Sequence, residues 1–288
     1  MSGQTSMERW RRSLYRFRQS GLSVAGLVIV GFLLFVAVCG SWLVPFPDHI
    51  AGGINTAARF KPPSTEYWFG TNELGQDIFT LVMAGARISL VSGFGVVVIA
   101  AMIGSLIGAL AGYAGGWIDD LLMRLTDLIL TLPSLILAMA IAAALGAGLD
   151  NMVFAISMSW WPGFARLVRG EVVAKKEELF VQAARAVGAS DLRILFRHVL
   201  PNVLSSIIIK MSLDMGFAIL AVAALGFIGI GVKPPTPEWG SLLSLARGYL
   251  PDYWWTAIFP GFAIFFAVLG FNLLGDGLRD VFDPKARR

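Results

Sequence analysis

The chain has 288 residues, of which 56% are hydrophobic and only 15% are charged, and its mean hydropathy is +0.71. Soluble domains carry about a quarter charged residues, so this composition excludes a soluble enzyme, a disordered tail and a secreted disulfide scaffold. A bilayer accommodates such a chain because lipid tails can face the apolar side chains directly. The single cysteine, Cys39, cannot close an intrachain disulfide and is predicted to serve packing.

Six apolar runs follow one another along the chain. They cover residues 22–44, 88–113, 128–149, 151–165, 203–232 and 253–275. At 1.5 Å per residue, about 20 residues cross a hydrocarbon core of about 30 Å. The third run is predicted to bend or begin near Pro133, and the fourth spans only if it extends through Arg166. The sequence therefore predicts an all-α membrane protein with six transmembrane helices.

The distribution of cations predicts the topology. Arginines crowd the first 20 residues, and further cations lie in 166–197 and in the last ten residues. An even number of spans puts both termini on one side, which the positive-inside rule makes the cytoplasm, so no nucleic acid is needed to explain the net charge of +4. The predicted division is a basic cytoplasmic arm (1–20), a first transmembrane helix (21–44), an extracytoplasmic loop (45–85), a transmembrane core (86–277) and a cytoplasmic tail (278–288).

The cytoplasmic stretch 171–201 is too polar for a span, yet it has helical periodicity. Apolar residues recur at i, i+3, i+4 and i+7 in two sets: Phe180, Ala183, Ala184 and Val187, then Leu192, Leu195, Phe196 and Val199. Gly188 is predicted to turn the chain, Ser190 to cap the second helix and Pro201 to end it. The pair either lies on lipid head groups or forms a knob that a cytoplasmic partner grips, which the small Ala183, Ala184 and Gly188 favour.

The run from Gln182-Ala183-Ala184 through Gly188 to Leu200-Pro201 resembles the EAA loop of bacterial ABC-importer permeases. Two residues depart from that motif, since Gln182 replaces Glu and His198 replaces Ile. The resemblance implies a type I ABC-importer fold whose coupling-helix loop meets the ATPase. The residues so implicated are Glu178, Gln182, Ala183, Ala184, Arg185, Gly188, Ser190, Leu200 and Pro201.

Two further segments carry a resemblance to C-type permeases of the dipeptide, oligopeptide and nickel family. Residues 68–77 are similar to its Gly-Thr-Asp-x-x-Gly-Arg-Asp signature, with Asn72 for Asp and Gln76 for Arg, and residues 225–240 match a later motif. The implied partners are a homologous B-type permease subunit, two cytoplasmic ATPases and an extracytoplasmic binding protein, in the bacterial inner membrane. The sequence contains no Gly-Lys dipeptide and hence no Walker A loop, so ATP and Mg are expected on the ATPases and no cofactor on this chain.

Three groups of residues in the sequence each allow more than one interpretation. Tyr67, Trp68, Asn72 and Glu73 suit either contact with the binding protein or anchoring at the membrane interface. Gly104, Gly108 and Gly112 suit close helix packing, either within the subunit or with the partner permease. Lys210 and Asp214, one helical turn apart, form a self-neutralising pair, a polar patch of the pore, or the relay of an ion-coupled transporter.

Catalytic chemistry has little support in the sequence. His49 and His198 are isolated, and neither a metal-ligand cluster nor a nucleophile–base pair is evident, so we predict no catalytic or metal site. The predicted function is import of di- or oligopeptides by alternating access, driven by ATP on partner subunits. Nickel and glutathione are the alternative cargoes, and an ion-coupled transporter is the alternative mechanism.

Overall fold

The computed structural model describes residues 19–282, and within them every regular element is a helix. The α-helices are α1 (Gly21–Leu43), α2 (Ile78–Ala114), α3 (Gly116–Leu130), α4 (Ser134–Leu145), α5 (Leu149–Lys175), α6 (Leu179–Ala186), α7 (Asp191–Ile194), α8 (Leu200–Ile228), α9 (Trp239–Ala246) and α10 (Trp255–Phe282). The all-α class is thereby confirmed. The five N-terminal arginines and the end of the basic tail lie outside the described residues.

Four helical stretches between residues 19 and 282 are long and apolar enough to cross a bilayer. They are Gly21–Leu43, Ile78–Ala114, Asp191–Ile228 and Trp255–Val281, and the bent pair α3–α4 raises the number to five if it counts as one span. Helix α5 falls outside this set, although its 27 residues are long enough, because polar and weakly apolar residues such as Asn151, Trp160 and Arg166 lower its mean hydropathy. Six transmembrane helices were predicted, whereas length and composition alone identify four to five among the described residues.

One predicted boundary is wrong, and two other predictions about the helices are confirmed. Helix α2 begins ten residues before the predicted start, at Ile78, because Asp77 caps it by accepting from the Thr80 amide at 2.8 Å. The predicted bend near Pro133 is confirmed, because α3 and α4 meet there at 89°, since a proline cannot donate the helical hydrogen bond. The extension through Arg166 is also confirmed, because helix α5 continues to Lys175, with Pro162 inside it.

Pro201 does not end a helix, which corrects another prediction. It occupies the first turn of α8, where its missing N–H needs no intrahelical partner. A π-helical turn, Leu195–Val199, joins α7 to α8, so the helical stretch runs on from Asp191 to Ile228. The polar segment thus continues directly into the longest of the apolar helical stretches.

The glycine stripe of α2 packs within the chain, against α5. A Cβ on Gly104 or Gly108 would overlap the carbonyl oxygens of Trp161 and Ala165, and one on Gly112 would lie 2.8 Å from the Arg169 carbonyl oxygen. Contacts advance in the same direction along both helices, so α2 and α5 run parallel over this length. Small residues allow this approach, in which dispersion between closely packed backbones replaces side-chain interdigitation.

Candidate functional site

The amphipathic hairpin, defined here as α6, α7 and their connecting turn (179–194), is the first candidate site. Its turn is a Schellman motif, in which the Ala189 amide donates to the Ala184 carbonyl at 3.1 Å and the Gly188 amide to the Arg185 carbonyl at 2.9 Å. Gly188 has φ of +80°, a conformation that only glycine adopts cheaply. The predicted glycine turn is present.

The inner face of the hairpin anchors it to the helix bundle. Val181 and Ile194 are completely buried and belong to the main core cluster. The Tyr113 hydroxyl at the end of α2 donates to Asp191 Oδ1 at 2.7 Å, and the Arg185 guanidinium lies 5.9 Å from the centre of the Tyr113 ring. The sequence did not predict this hydrogen bond between α2 and the hairpin, because Tyr113 is simply the last residue of an apolar run.

The outer face of the hairpin presents uncovered apolar side chains. Leu179 and Val187 are 81% and 85% exposed, and Leu192 is also exposed, as is Phe196 in the π-helical turn that follows. The predicted apolar face Phe180, Ala183, Ala184 and Val187 is thus not one surface, because Ala184 is buried and Phe180 half-buried, while Ala183 and Val187 are exposed. The helix is rotated so that Val181 takes the inner position.

The remaining coupling-loop residues lie around this turn and mostly reach solvent. Glu178 pairs with Lys175 at 2.6 Å, and the exposed Gln182 side chain donates to the Glu177 carbonyl at 3.1 Å. Ser190 is the N-cap residue of α7, but its side chain accepts no capping hydrogen bond. The other exposed members are Ala183, Arg185, Gly188 and Pro201, whereas Leu200 is half-buried.

The second candidate site is the cap, defined here as residues 45–77, which connects α1 to α2. The Asn72 Nδ2 donates to Gln76 Oε1 at 2.9 Å, and the Asn72 Oδ1 accepts from the backbone amide of Gln76 at 2.8 Å. Both side chains are buried. The two departures from the family signature therefore face each other, so that an amide pair stands where the signature has Asp and Arg.

Backbone and side-chain hydrogen bonds hold the end of the cap on α2. His49 Nδ1 accepts from the Asp77 amide at 3.0 Å; burial lowers the pKa of His49, which favours the neutral imidazole that can accept this bond. Burial raises the pKa of Asp77, whereas hydrogen bonds from Thr80 act in the opposite direction. The Trp255 indole donates to the Thr71 carbonyl at 3.1 Å, which joins the cap to α10.

The four cap residues predicted to contact a binding protein do not share one surface. Tyr67 is buried, stacked on Phe46 at 5.2 Å between ring centres, and Asn72 is buried in its pair with Gln76. Trp68 is 62% exposed and Glu73 is half-buried. Side-chain contact with a partner is thereby narrowed to Trp68 and Glu73, and it stays a prediction.

Lys210 and Asp214 form the self-neutralising pair that the sequence suggested as one alternative. Their charged atoms are 2.9 Å apart on consecutive turns of α8, and Lys210 Nζ lies 5.0 Å from the ring centre of Phe164. Both side chains are half-buried. A role in the pore stays a prediction. Within residues 19–282 no group of three or more His, Cys, Asp or Glu side chains is placed to hold a metal ion.

A buried carboxylate that sequence reasoning missed locks α9 against α2. Glu238, fully buried, accepts from the amides of Gly240 and Ser241 at 2.7 and 2.8 Å and from the Ser89 hydroxyl at 3.3 Å. The adjacent Trp239 indole donates to the Val82 carbonyl at 2.9 Å. An acidic residue directly before an apolar helix is the sequence signal that could have identified Glu238 as the residue that caps the N-terminus of α9.

Long apolar helices, a packed cap and an uncovered amphipathic hairpin together define a polytopic, all-helical membrane protein. The particular family follows from comparison with known proteins. Residues 104–288 match the family model of the binding-protein-dependent transport system inner membrane component, and residues 8–63 match that of the N-terminal TM domain of oligopeptide transport permease C.

Curated relatives match over nearly the whole chain. The dipeptide transport system permease protein of Alkalihalophilus pseudofirmus is 44% identical, covering 98% of this chain and 92% of the relative. The glutathione transport system permease protein of Escherichia coli is 43% identical, covering 96% and 91% respectively, and that of Shigella boydii matches equally well. The chain belongs to the binding-protein-dependent inner-membrane transport components, as a C-type permease subunit of the dipeptide and oligopeptide class of ABC transporters.

Proposed function

We propose that this chain is one half of the membrane channel of an ATP-driven importer of short peptides in the bacterial inner membrane. Its expected partners are a homologous B-type permease subunit, two cytoplasmic ATPases and an extracytoplasmic binding protein. The family supports dependence on a binding protein. The absence of a Gly-Lys dipeptide from all 288 residues supports hydrolysis of ATP, with its Mg, on other subunits.

Short peptides are the proposed cargo because the relatives are named for a dipeptide and for glutathione, which is itself a tripeptide. A shared peptide backbone accounts for both names with one type of channel. Reconstituted importer that takes up a labelled dipeptide but not nickel would support this choice. Uptake of nickel alone would contradict it.

We propose six spans, with α5 as the one that composition does not identify. Helix α5 runs parallel to α2 from the level of Gly95, which faces Val153, to that of Gly112, which faces Arg169. The 17 residues between those glycines rise about 26 Å, nearly the thickness of the hydrocarbon core. A helix that accompanies a spanning helix over this distance crosses with it, and four of its five charged residues lie in its last ten residues, from Arg166 to Lys175.

Both termini are then cytoplasmic and the cap is outside. With Cys39 replaced by Ala, a cysteine introduced at the exposed Asn55 should react with a membrane-impermeant maleimide in intact cells, and one at Val187 should not. Val187 should react only after the membrane is opened. Labelling of Val187 from outside would contradict this topology.

The observation that carries the coupling proposal is the amphipathic hairpin, firmly anchored on one face and apolar and uncovered on the other. Exposed Leu179, Val187 and Leu192 around an open glycine turn suit a groove on a cytoplasmic protein. A hairpin lying on lipid would also cover apolar groups. It would not require the open space around Gly188, where an added Cβ meets nothing within 4 Å.

Substitutions at Gly188 test this proposal. Gly188→Val disfavours positive φ at the turn, so we expect loss of uptake in proteoliposomes, with ATPase subunits either lost on purification or hydrolysing ATP without transport. Gly188→Asn tolerates this φ and should retain more uptake. Gly31→Val, on an exposed helical face with free space around it, is the matched control. Full transport and normal ATPase retention by Gly188→Val would refute the assignment.

A further inference from the structure

An apolar groove of about 830 Å³ opens on the side of the bundle between α1, α2, α8 and α10. Its walls carry side chains such as Val30, Val91, Phe94, Met211 and Phe271. Val91 and Phe94 are mostly exposed there. The helices that form the groove all belong to stretches apolar enough to span the membrane, so the groove faces hydrocarbon rather than water.

The groove has one polar end. Helices α1 and α2 run antiparallel and pack closely at Gly40, where an added Cβ would lie 3.0 Å from the Met83 carbonyl oxygen. Trp42 therefore lies about 9 Å farther along the groove than Arg87, toward the start of α2. The wall along α2 extends from Arg87 to Val97, ten residues that rise about 15 Å. That length equals half of a hydrocarbon core of about 30 Å, which is one leaflet.

Among the described residues that line the groove, Arg87 alone is charged. Its side chain is exposed, and no described residue between 19 and 282 forms an ion pair or hydrogen bond with it. A guanidinium at a membrane interface needs an anionic partner, and its planar donors match a phosphate group well. Trp42, which is 81% exposed and lines the same end of the groove, suits the head-group level of the bilayer.

We propose that a phospholipid occupies this groove, with its phosphate on the Arg87 guanidinium and an acyl chain along Val91, Phe94 and Val97. A phospholipid supplies both an anionic group for Arg87 and an acyl chain for the apolar walls, whereas an apolar helix of a partner subunit would leave the guanidinium without an anion.

Native mass spectrometry of the purified transporter complex, titrated with phosphatidylglycerol, tests the polar contact. Arg87→Gln removes a charge-assisted hydrogen-bonding group, so we expect the affinity for the bound phospholipid to fall about tenfold. The control is Arg59→Gln, which makes the same charge change on the cap, away from the groove. It should alter the affinity less than twofold.

A second variant tests the apolar part while keeping the arginine. Val91→Trp projects into the groove from an exposed position, so it should displace the acyl chain without disturbing the core. A photo-crosslinking amino acid at Phe94 should yield a phospholipid adduct in the assembled complex. Unchanged lipid binding by both variants, or a crosslink at Phe94 to another protein chain, would overturn the proposal.

Discussion

The cap and the amphipathic hairpin both carry sequence motifs of the permease family, yet they use their residues in opposite ways. In the cap, the motif side chains Thr71, Asn72, Gln76 and Asp77 are buried and bonded to one another or to neighbouring backbone. In the hairpin, most motif residues are exposed. A motif residue therefore serves the fold where its partners lie within the chain, and it is available to another protein where they do not.

Two glycines show the contrast at a single position. Gly75 in the cap and Gly188 in the hairpin have nearly the same backbone, with φ of +73° and +80°. A Cβ on Gly75 would overlap the Asn55 carbonyl oxygen, whereas a Cβ on Gly188 would meet nothing within 4 Å. Conformation alone requires glycine at 188, while conformation and space both require it at 75.

The largest effect is therefore expected for Gly75→Ala. Strain at positive φ and overlap with Asn55 should together destabilise the protein by about 2–6 kcal/mol. Thermal denaturation of the purified complex in detergent measures this loss. Gly188→Ala carries only the conformational strain, about 1–3 kcal/mol; equal destabilisation by the two changes would contradict the distinction between a closed and an open turn.

The next effect separates the two faces of the hairpin. Ile194→Ala removes a fully buried side chain and should cost about 2–5 kcal/mol of stability. Leu192→Ala, two residues away and 66% exposed, should change stability by less than about 0.5 kcal/mol while weakening retention of the ATPase about tenfold. The readouts are thermal denaturation and subunit stoichiometry after purification. Normal ATPase retention by Leu192→Ala would argue against the exposed face as a docking surface.

The smallest effect concerns the amide pair of the cap. Asn72→Asp and Gln76→Arg each place an uncompensated charge in a buried site and should destabilise singly, whereas the double variant restores an ion pair. We expect a favourable coupling energy of about 0.5–3 kcal/mol in a double-mutant cycle of thermal stability. Gln76→Arg combined with Glu66→Gln, an exposed site, is the control and should be additive. Additivity of the Asn72–Gln76 pair would show that the two departures are independent.

Much of the architecture was predictable because it depends on local composition. The apolar runs that became α1, α8 and α10 are long and nearly free of charge, which signals burial in lipid without reference to any neighbour. The turn at Gly188 was predictable too, since a glycine between two amphipathic segments is a local signal. The part of α2 after Arg87 was recognised, but not its beginning at Ile78, ten residues earlier.

What could not be predicted depends on partners distant in the sequence. The extent of α5 depends on its packing along the glycines of α2, and that of α8 on a π-helical turn before Pro201. The burial of Tyr67 and Asn72 comes from contacts within the folded cap, which the sequence does not show. The buried Tyr67 and the exposed Trp68 therefore look alike in the sequence. Likewise, the Tyr113–Asp191 bond joins residues 78 positions apart.

The central claim is that the uncovered face of the hairpin meets an ATPase subunit rather than lipid. A photo-crosslinking amino acid at Val187, the most exposed apolar residue of the turn, tests it directly in the assembled transporter within native membranes. We expect one adduct whose mass equals this chain plus an ATPase subunit, and no such adduct when the crosslinker replaces Phe32 on the exposed face of α1. Phospholipid adducts at Val187 without any ATPase adduct would contradict the account and place the hairpin on the membrane surface.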